Sequence, residues 1–193
     1  TMGGTYAVLP GEISYSHGSW ASPMGLGCFG LNYSAVNYGS IQGYNDSGFV
    51  TSAFSPKDQA LALGWGSLLP WFENAISWGL SAKYLNLKIT KEATALAGDI
   101  GLHLNAKNLN GALVIQNLGT KIKFIDEGFQ LPLTIRMGGS WTLKRPVLVT
   151  AETSFSIDQT PYISLGYEQR QWISSTWQAA IRGGISSEGY PDS

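Results

Sequence analysis

The residues able to do chemistry in this chain are few and scattered. Only His17 and His103 could serve as a base near neutral pH. His103 stands four positions from Asp99, and along an extended strand that spacing is ~13 Å, too far for a direct hydrogen bond. A nucleophilic serine would have to reach His103 from another strand; the plainer reading is a polar side chain on one face of a strand. Cys28 is the single cysteine, so no disulfide forms within the chain. It is expected as a small apolar strand residue. Cys28, His17 and His103 have no metal-ligand spacing. Gly25-x-Gly27 lies in β-patterned sequence with no helix after it, so it is no phosphate loop. The expectation is a protein without catalytic activity, cofactor or metal.

The other reactive groups are charges, and they share a pattern. Lys83, Asp99, Arg136, Glu152, Glu168, Arg170 and Arg182, with His103, fall on the polar side of segments that alternate with period two. From Leu131 to Leu143 the odd positions hold Leu131, Leu133, Ile135, Met137, Gly139, Trp141 and Leu143. The even ones hold Pro132, Thr134, Arg136, Gly138, Ser140 and Thr142. Successive strand side chains point to opposite faces, so this is a strand with one apolar and one polar face.

The same alternation returns in Ile76–Lys88, Leu96–Leu104, Val147–Ile157, Ile163–Gln169, Trp177–Ile185 and around Leu61–Trp65. It is weaker in Glu12–Trp20, Met24–Tyr33 and Leu109–Leu118. That makes about ten strands, most near the ~9–11 residues that cross a bilayer at a tilt. Turn signals stand at Asn45-Asp46-Ser47-Gly48, Leu118-Gly119 and Lys144-Arg145-Pro146. The longer links around Gly39–Lys57 and Gly119–Gln130 are expected as loops on a rim. The whole chain, 1–193, reads as one domain. Residues 1–11 read as the remnant of an N-terminal segment, and 185–193 as a loop-like tail.

Which face meets water is decided by composition. Charged residues are only 13% of the chain and the net charge is −1, so there is no electrostatic footprint for nucleic acid. Gly is 24 residues and aromatics are 12%. The polar faces carry Gly, Ser, Thr and Ala with sparse charges of both signs, which suits a barrel lumen better than a water-exposed sheet. Trp71, Trp78, Tyr84, Trp141, Tyr162, Trp172 and Trp177 fall near strand ends, where aromatic girdles mark membrane interfaces. No apolar run approaches the ~20 residues of a spanning helix. A membrane form must therefore be a closed barrel, because lipid offers no partner to free backbone groups. The expectation is an all-β, antiparallel up-and-down transmembrane β-barrel with its charges inside. Arg136 with Glu152, and Glu168 with Arg182, sit on sequence-adjacent strands and should pair across it. A soluble barrel or sandwich remains the alternative. No signal peptide is read at Thr1, which fits a mature, trimmed or fragmentary chain, or a cytosolic one.

Several stretches resemble the PorV/PorQ family of bacterial outer-membrane proteins, whose barrels are similar to the FadL type. They are Tyr38 to Tyr44 (YGSIQGY), Phe54 to Ala62 (FSPKDQALA), Gly79 to Ile89 (GLSAKYLNLKI), Ala97 to Leu102 (AGDIGL) and, above all, Gln116 to Gly139 (QNLGTKIKFIDEGFQLPLTIRMGG). Leu165-Gly166-Tyr167-Glu168 and Ile181-Arg182-Gly183-Gly184 fit the closing strands. The resemblance covers most of the chain from Tyr38. It implies localisation in the bacterial outer membrane, a lipid-bilayer partner, and a role in type IX secretion with secretion-system proteins or secreted cargo. A FadL-like channel for hydrophobic small molecules is the runner-up. The chain departs from the family in lacking an Asn-Pro-Ala stretch after Met2-Gly3-Gly4-Thr5, which puts the lumen plug in doubt. The family's barrel has about fourteen strands, within the outer-membrane range. The chain thus looks shortened at both ends: a fragment, a miscounted barrel, or a smaller one that closes.

Overall fold

The structure is a computed structural model that describes residues 1–72, 75–124, 127–144 and 146–187. The chain is all-β and antiparallel. Its strands are β1 (Met2–Leu9), β2 (Ile13–Met24), β3 (Gly27–Asn37), β4 (Lys57–Leu68), β5 (Ile76–Lys88), β6 (Glu92–Ala106) and β7 (Leu109–Gly119), then β8 (Ile122–Phe124), β9 (Glu127–Phe129), β10 (Thr134–Lys144), β11 (Val147–Ser156), β12 (Gln159–Trp172) and β13 (Gln178–Ser186). One short 3-10 turn spans Pro70–Phe72. Eleven strands form a sheet in the order β1-β2-β3-β4-β5-β6-β7-β10-β11-β12-β13, and β8 pairs with β9. Apart from the insertion of β8 and β9, sheet order is chain order, the product of consecutive hairpins. Among the described residues β1 pairs only with β2, and β13 only with β12.

Turn chemistry explains the hairpins. Gly25 (φ 57°) turns β2 into β3, and Gly11 (φ 82°) with Glu12 (φ 61°) turns β1 into β2; these left-handed conformations are the ones tight hairpins require. In the 38–56 link, Asn45 Oδ1 accepts the N–H groups of Ser47 (3.1 Å) and Phe49 (2.8 Å), and Gly48 follows at φ 80°. Arg145 of the Lys144-Arg145-Pro146 turn lies outside the described residues.

The strands differ from the sequence reading in four places. Residues 2–9 are a strand, paired in register from Met2↔Trp20 to Leu9↔Ile13; Gly3 and Gly4 hide its alternation. The main sheet therefore has eleven strands rather than about ten. β13 runs through Ser186, so Ile185 and Ser186 belong to the sheet; 188–193 lie outside the described residues. β10 begins at Thr134, not Leu131, since Pro132 has no N–H to donate to a ladder. The link before β10 holds the β8–β9 hairpin, so it is more than a plain loop.

The chain forms two compact units. One comprises Thr1–Ser67, Leu80–Gly98 and Leu118–Leu131; the other comprises Leu68–Gly79, Asp99–Asn117 and Pro132–Ser193. In the first, Ala95 (3% exposed), Ala97 (6%) and Leu131 (5%) make a small buried cluster with Leu85 and Ile122 against it. The alanines lie on the polar face of β6, while Leu96 between them is 60% exposed. In the second unit the same inversion holds. Ile135, Met137, Trp141, Phe155, Ile163 and Leu165 are exposed, whereas Ser154 on the opposite face is buried. In both units these strands leave large apolar side chains exposed while small residues of the opposite face are covered.

Candidate functional site

Directly paired residues of an antiparallel ladder share a face, so the registers define the polar face of the second unit. Asn110 is opposite Ser140, Gly138 opposite Glu152, Glu152 opposite Ser164, and Glu168 opposite Arg182. Arg136 reaches diagonally to Glu152. Its Nε donates to Glu152 Oε1 at 3.1 Å and its Nη2 donates to the same oxygen. Glu168 accepts from Arg182 across the strand pair and from Arg170 two residues along its own strand. Both pairs expected from strand adjacency are present, and Arg170 joins the second. Thr134 Oγ1 donates to Ser156 Oγ at 3.1 Å, and Ser164 Oγ donates to Ser186 Oγ at 2.9 Å. The face is therefore a laced polar surface, with an open hollow of about 520 Å³ among His103, Asn110, Ser140, Thr150, Glu152 and Ser164.

The arrangement sets the worth of the Arg136–Glu152 pair. Both side chains remain more than a third exposed, so screening keeps their attraction modest. Arg136→Glu should destabilise the fold, and adding Glu152→Arg should recover part of the loss. We expect a coupling of about 0.5–1 kcal/mol in a double-mutant cycle read by urea unfolding. Additive single effects would refute the pairing.

Asp99 is tied to the backbone of the next strand. Asp99 Oδ1 accepts the backbone N–H of Asn117 at 3.0 Å, and Asn117 Nδ2 donates to the Pro132 carbonyl at 2.9 Å. Asn117 holds a left-handed φ of 62°, a conformation Asn adopts more readily than most residues. The sequence marks it as the start of an Asn-Leu-Gly turn, but its bonds to Asp99 and Pro132 come from the fold. Lys83 lies on the polar face of β5, between the exposed Ala82 and Tyr84. In the first unit His17 Nδ1 is 3.3 Å from Ser34 Oγ and stacks on Tyr15. Ser34 Oγ donates to Asn32 Oδ1 at 3.3 Å.

The aromatic positions divide. Trp78, Tyr84 and Trp141 lie on the apolar faces of their strands. Trp71 is exposed in the 3-10 turn, and Trp177 is exposed just before β13. Tyr162 and Trp172 differ from the girdle expectation. They share strand parity with Ser164 and Glu168 on the polar face, where Tyr162 stands beside Arg136. Nearness to a strand end places a residue at a rim, but only parity assigns its face.

In the 38–56 link the Tyr38 hydroxyl donates to Asp58 Oδ2 at 2.8 Å, tying the link's start to β4. That bond holds the Tyr38 phenol above its ordinary range, with burial and the Asp58 charge adding to it. A raised folded value means the bond's support is complete below the ordinary tyrosine pKa of about 10 and is lost as pH rises through the higher folded value. Hydrogen exchange at the 38–56 amides, corrected for intrinsic base catalysis, should lose protection in that alkaline range. Tyr38→Phe should abolish this step.

Among the described residues no group of three His, Cys, Asp or Glu side chains is placed to hold a metal ion. No protein-family model matches this chain, and no curated protein matches it.

Proposed function

We propose that this chain is an outer-membrane β-barrel component of the PorV/PorQ type, non-catalytic and accessory to protein secretion or cell-surface export. The observation that carries the reading is the inverted burial of its strands. Leu96, Ile100, Leu102, Ile163, Leu165 and Ile181 are exposed while Ala95, Ala97 and Ser154 are covered. In water, each large side chain left out forgoes about 1.5–3 kcal/mol of burial, and an apolar surface of this extent marks a membrane or protein contact. Lipid removes that penalty. The strands of the main sheet have from 8 to 15 residues, in keeping with the ~9–11 needed to cross a bilayer at a tilt.

The secretion role rests on the family resemblance from Tyr38 onward. Its partners are the lipid bilayer and secretion-system proteins or secreted cargo. A FadL-like channel for hydrophobic molecules is less well supported, because the hollow on the polar face is flanked by His103, Asn110 and Glu152. The test is fractionation of producing cells followed by a profile of secreted proteins in a deletion strain. The reading expects the chain in the carbonate-washed outer-membrane fraction and a loss of surface or secreted proteins on deletion. Recovery in the soluble fraction would refute the membrane reading. An unchanged secretome with impaired uptake of hydrophobic solutes would favour the channel.

A further inference from the structure

The connections of the main sheet fall into two alternating sets, since successive hairpins of an antiparallel meander turn at opposite strand ends. One set comprises 10–12, 38–56, 89–91, 120–133 and 157–158; the other comprises 25–26, 69–75, 107–108, 145–146 and 173–177. The two longest connections both belong to the first set. Every tryptophan of the chain belongs to the second. Trp71 lies in the 69–75 connection, Trp177 in the 173–177 connection, and Trp172 is the last residue of β12. Trp20, Trp65, Trp78 and Trp141 stand within four residues of the strand ends that enter such turns.

The long connections are also built differently. The 38–56 link is an ordered hairpin, with bridges Ile41↔Phe54 and Tyr44↔Val50 and with Gln42 Nε2 donating to the Thr51 carbonyl at 2.6 Å. It holds Tyr44 (65% exposed), Phe49 (70%) and Val50 (67%) in the open. The turns of the second set are all shorter than the two long links, and all but 107–108 have Trp in them or within four residues of an adjoining strand end, the side chain that prefers the headgroup layers.

Resting on the membrane reading above, we propose that the chain is inserted with the 38–56 hairpin facing the cell exterior and the shorter turns of the second set facing the periplasm. Outer-membrane barrels have short periplasmic turns and longer external loops.

The test is labelling with a membrane-impermeant maleimide in a Cys28→Ser background. Ser47→Cys reports the hairpin and Asn108→Cys the β6–β7 turn. Label is read on the washed membrane fraction, from intact cells and from cells with a permeabilised outer membrane; denatured samples verify both thiols. The proposal expects Ser47→Cys to label in intact cells and Asn108→Cys only after permeabilisation, each with at least a tenfold contrast. The reverse pattern, equal labelling of both sites in intact cells, or labelling of neither would overturn the orientation while leaving the membrane reading intact. Absence of the protein from the membrane fraction would instead defeat the membrane reading.

Discussion

Leu165→Arg is expected to cost about 2–4 kcal/mol of folding stability in a bilayer, the penalty for arginine on the lipid face near the midplane. Leu165 sits mid-strand in β12, between Ala151 and Ile185 on its neighbours, and is half exposed. If that face met water, the same change would fall within about 0.5 kcal/mol of neutral, as exposed substitutions usually do. The effect should fade toward the strand ends. Ile157, in the β11–β12 turn and exposed, should tolerate arginine at about 0–1 kcal/mol. Urea titration of the chain folded into lipid vesicles reads both. Equal, small effects at Leu165 and Ile157 would contradict a lipid-facing apolar surface.

Gly119→Ala is the second large effect, and it needs no membrane. A Cβ at Gly119 would come within 2.3 Å of the Leu96 carbonyl oxygen and 2.8 Å of Ala97 Cα. Both are backbone atoms, and Leu96 is further fixed by Thr120, whose N–H donates to its carbonyl at 2.9 Å. The buried Ala97–Leu131 cluster lies beside this contact. Relief requires parting the strands, at about 1–3 kcal/mol for overpacking a tight site. Gly18→Ala is the control. A Cβ there meets nothing within 4 Å, and reduced unfolded-chain entropy should make it neutral or stabilising by up to about 1 kcal/mol. A similar loss at both positions would sink the steric account.

These two positions illustrate what was legible in the sequence. Leu165 was legible because Ile163, Leu165 and Tyr167 alternate with Ser164, Gly166 and Glu168, and period two translates directly into faces. The ion pairs followed from the same logic, since charges on the polar faces of adjacent strands are brought within reach by antiparallel pairing. Gly119 was legible only as a turn signal, because a close backbone approach depends on which strand lies next to it. β1 was missed because glycine carries no side chain to mark a face. Tyr162 and Trp172 were misassigned because residue type was weighed over parity. The Asp99–Asn117 and His17–Ser34 contacts depend on registers across strands, which no local pattern encodes.

The central claim is that the apolar face of the sheet meets lipid and the polar face does not. It is tested most directly by spin-label accessibility in β12. Ile163→Cys, Ser164→Cys and Leu165→Cys, each in the Cys28→Ser background, would carry a nitroxide in lipid vesicles. Collision rates with oxygen, which concentrates in lipid, and with a water-soluble nickel chelate would then be compared. The account predicts high oxygen and low nickel accessibility at 163 and 165, with the ratio falling at 164. Nickel accessibility at 163 and 165 equal to or above that at 164 would contradict it.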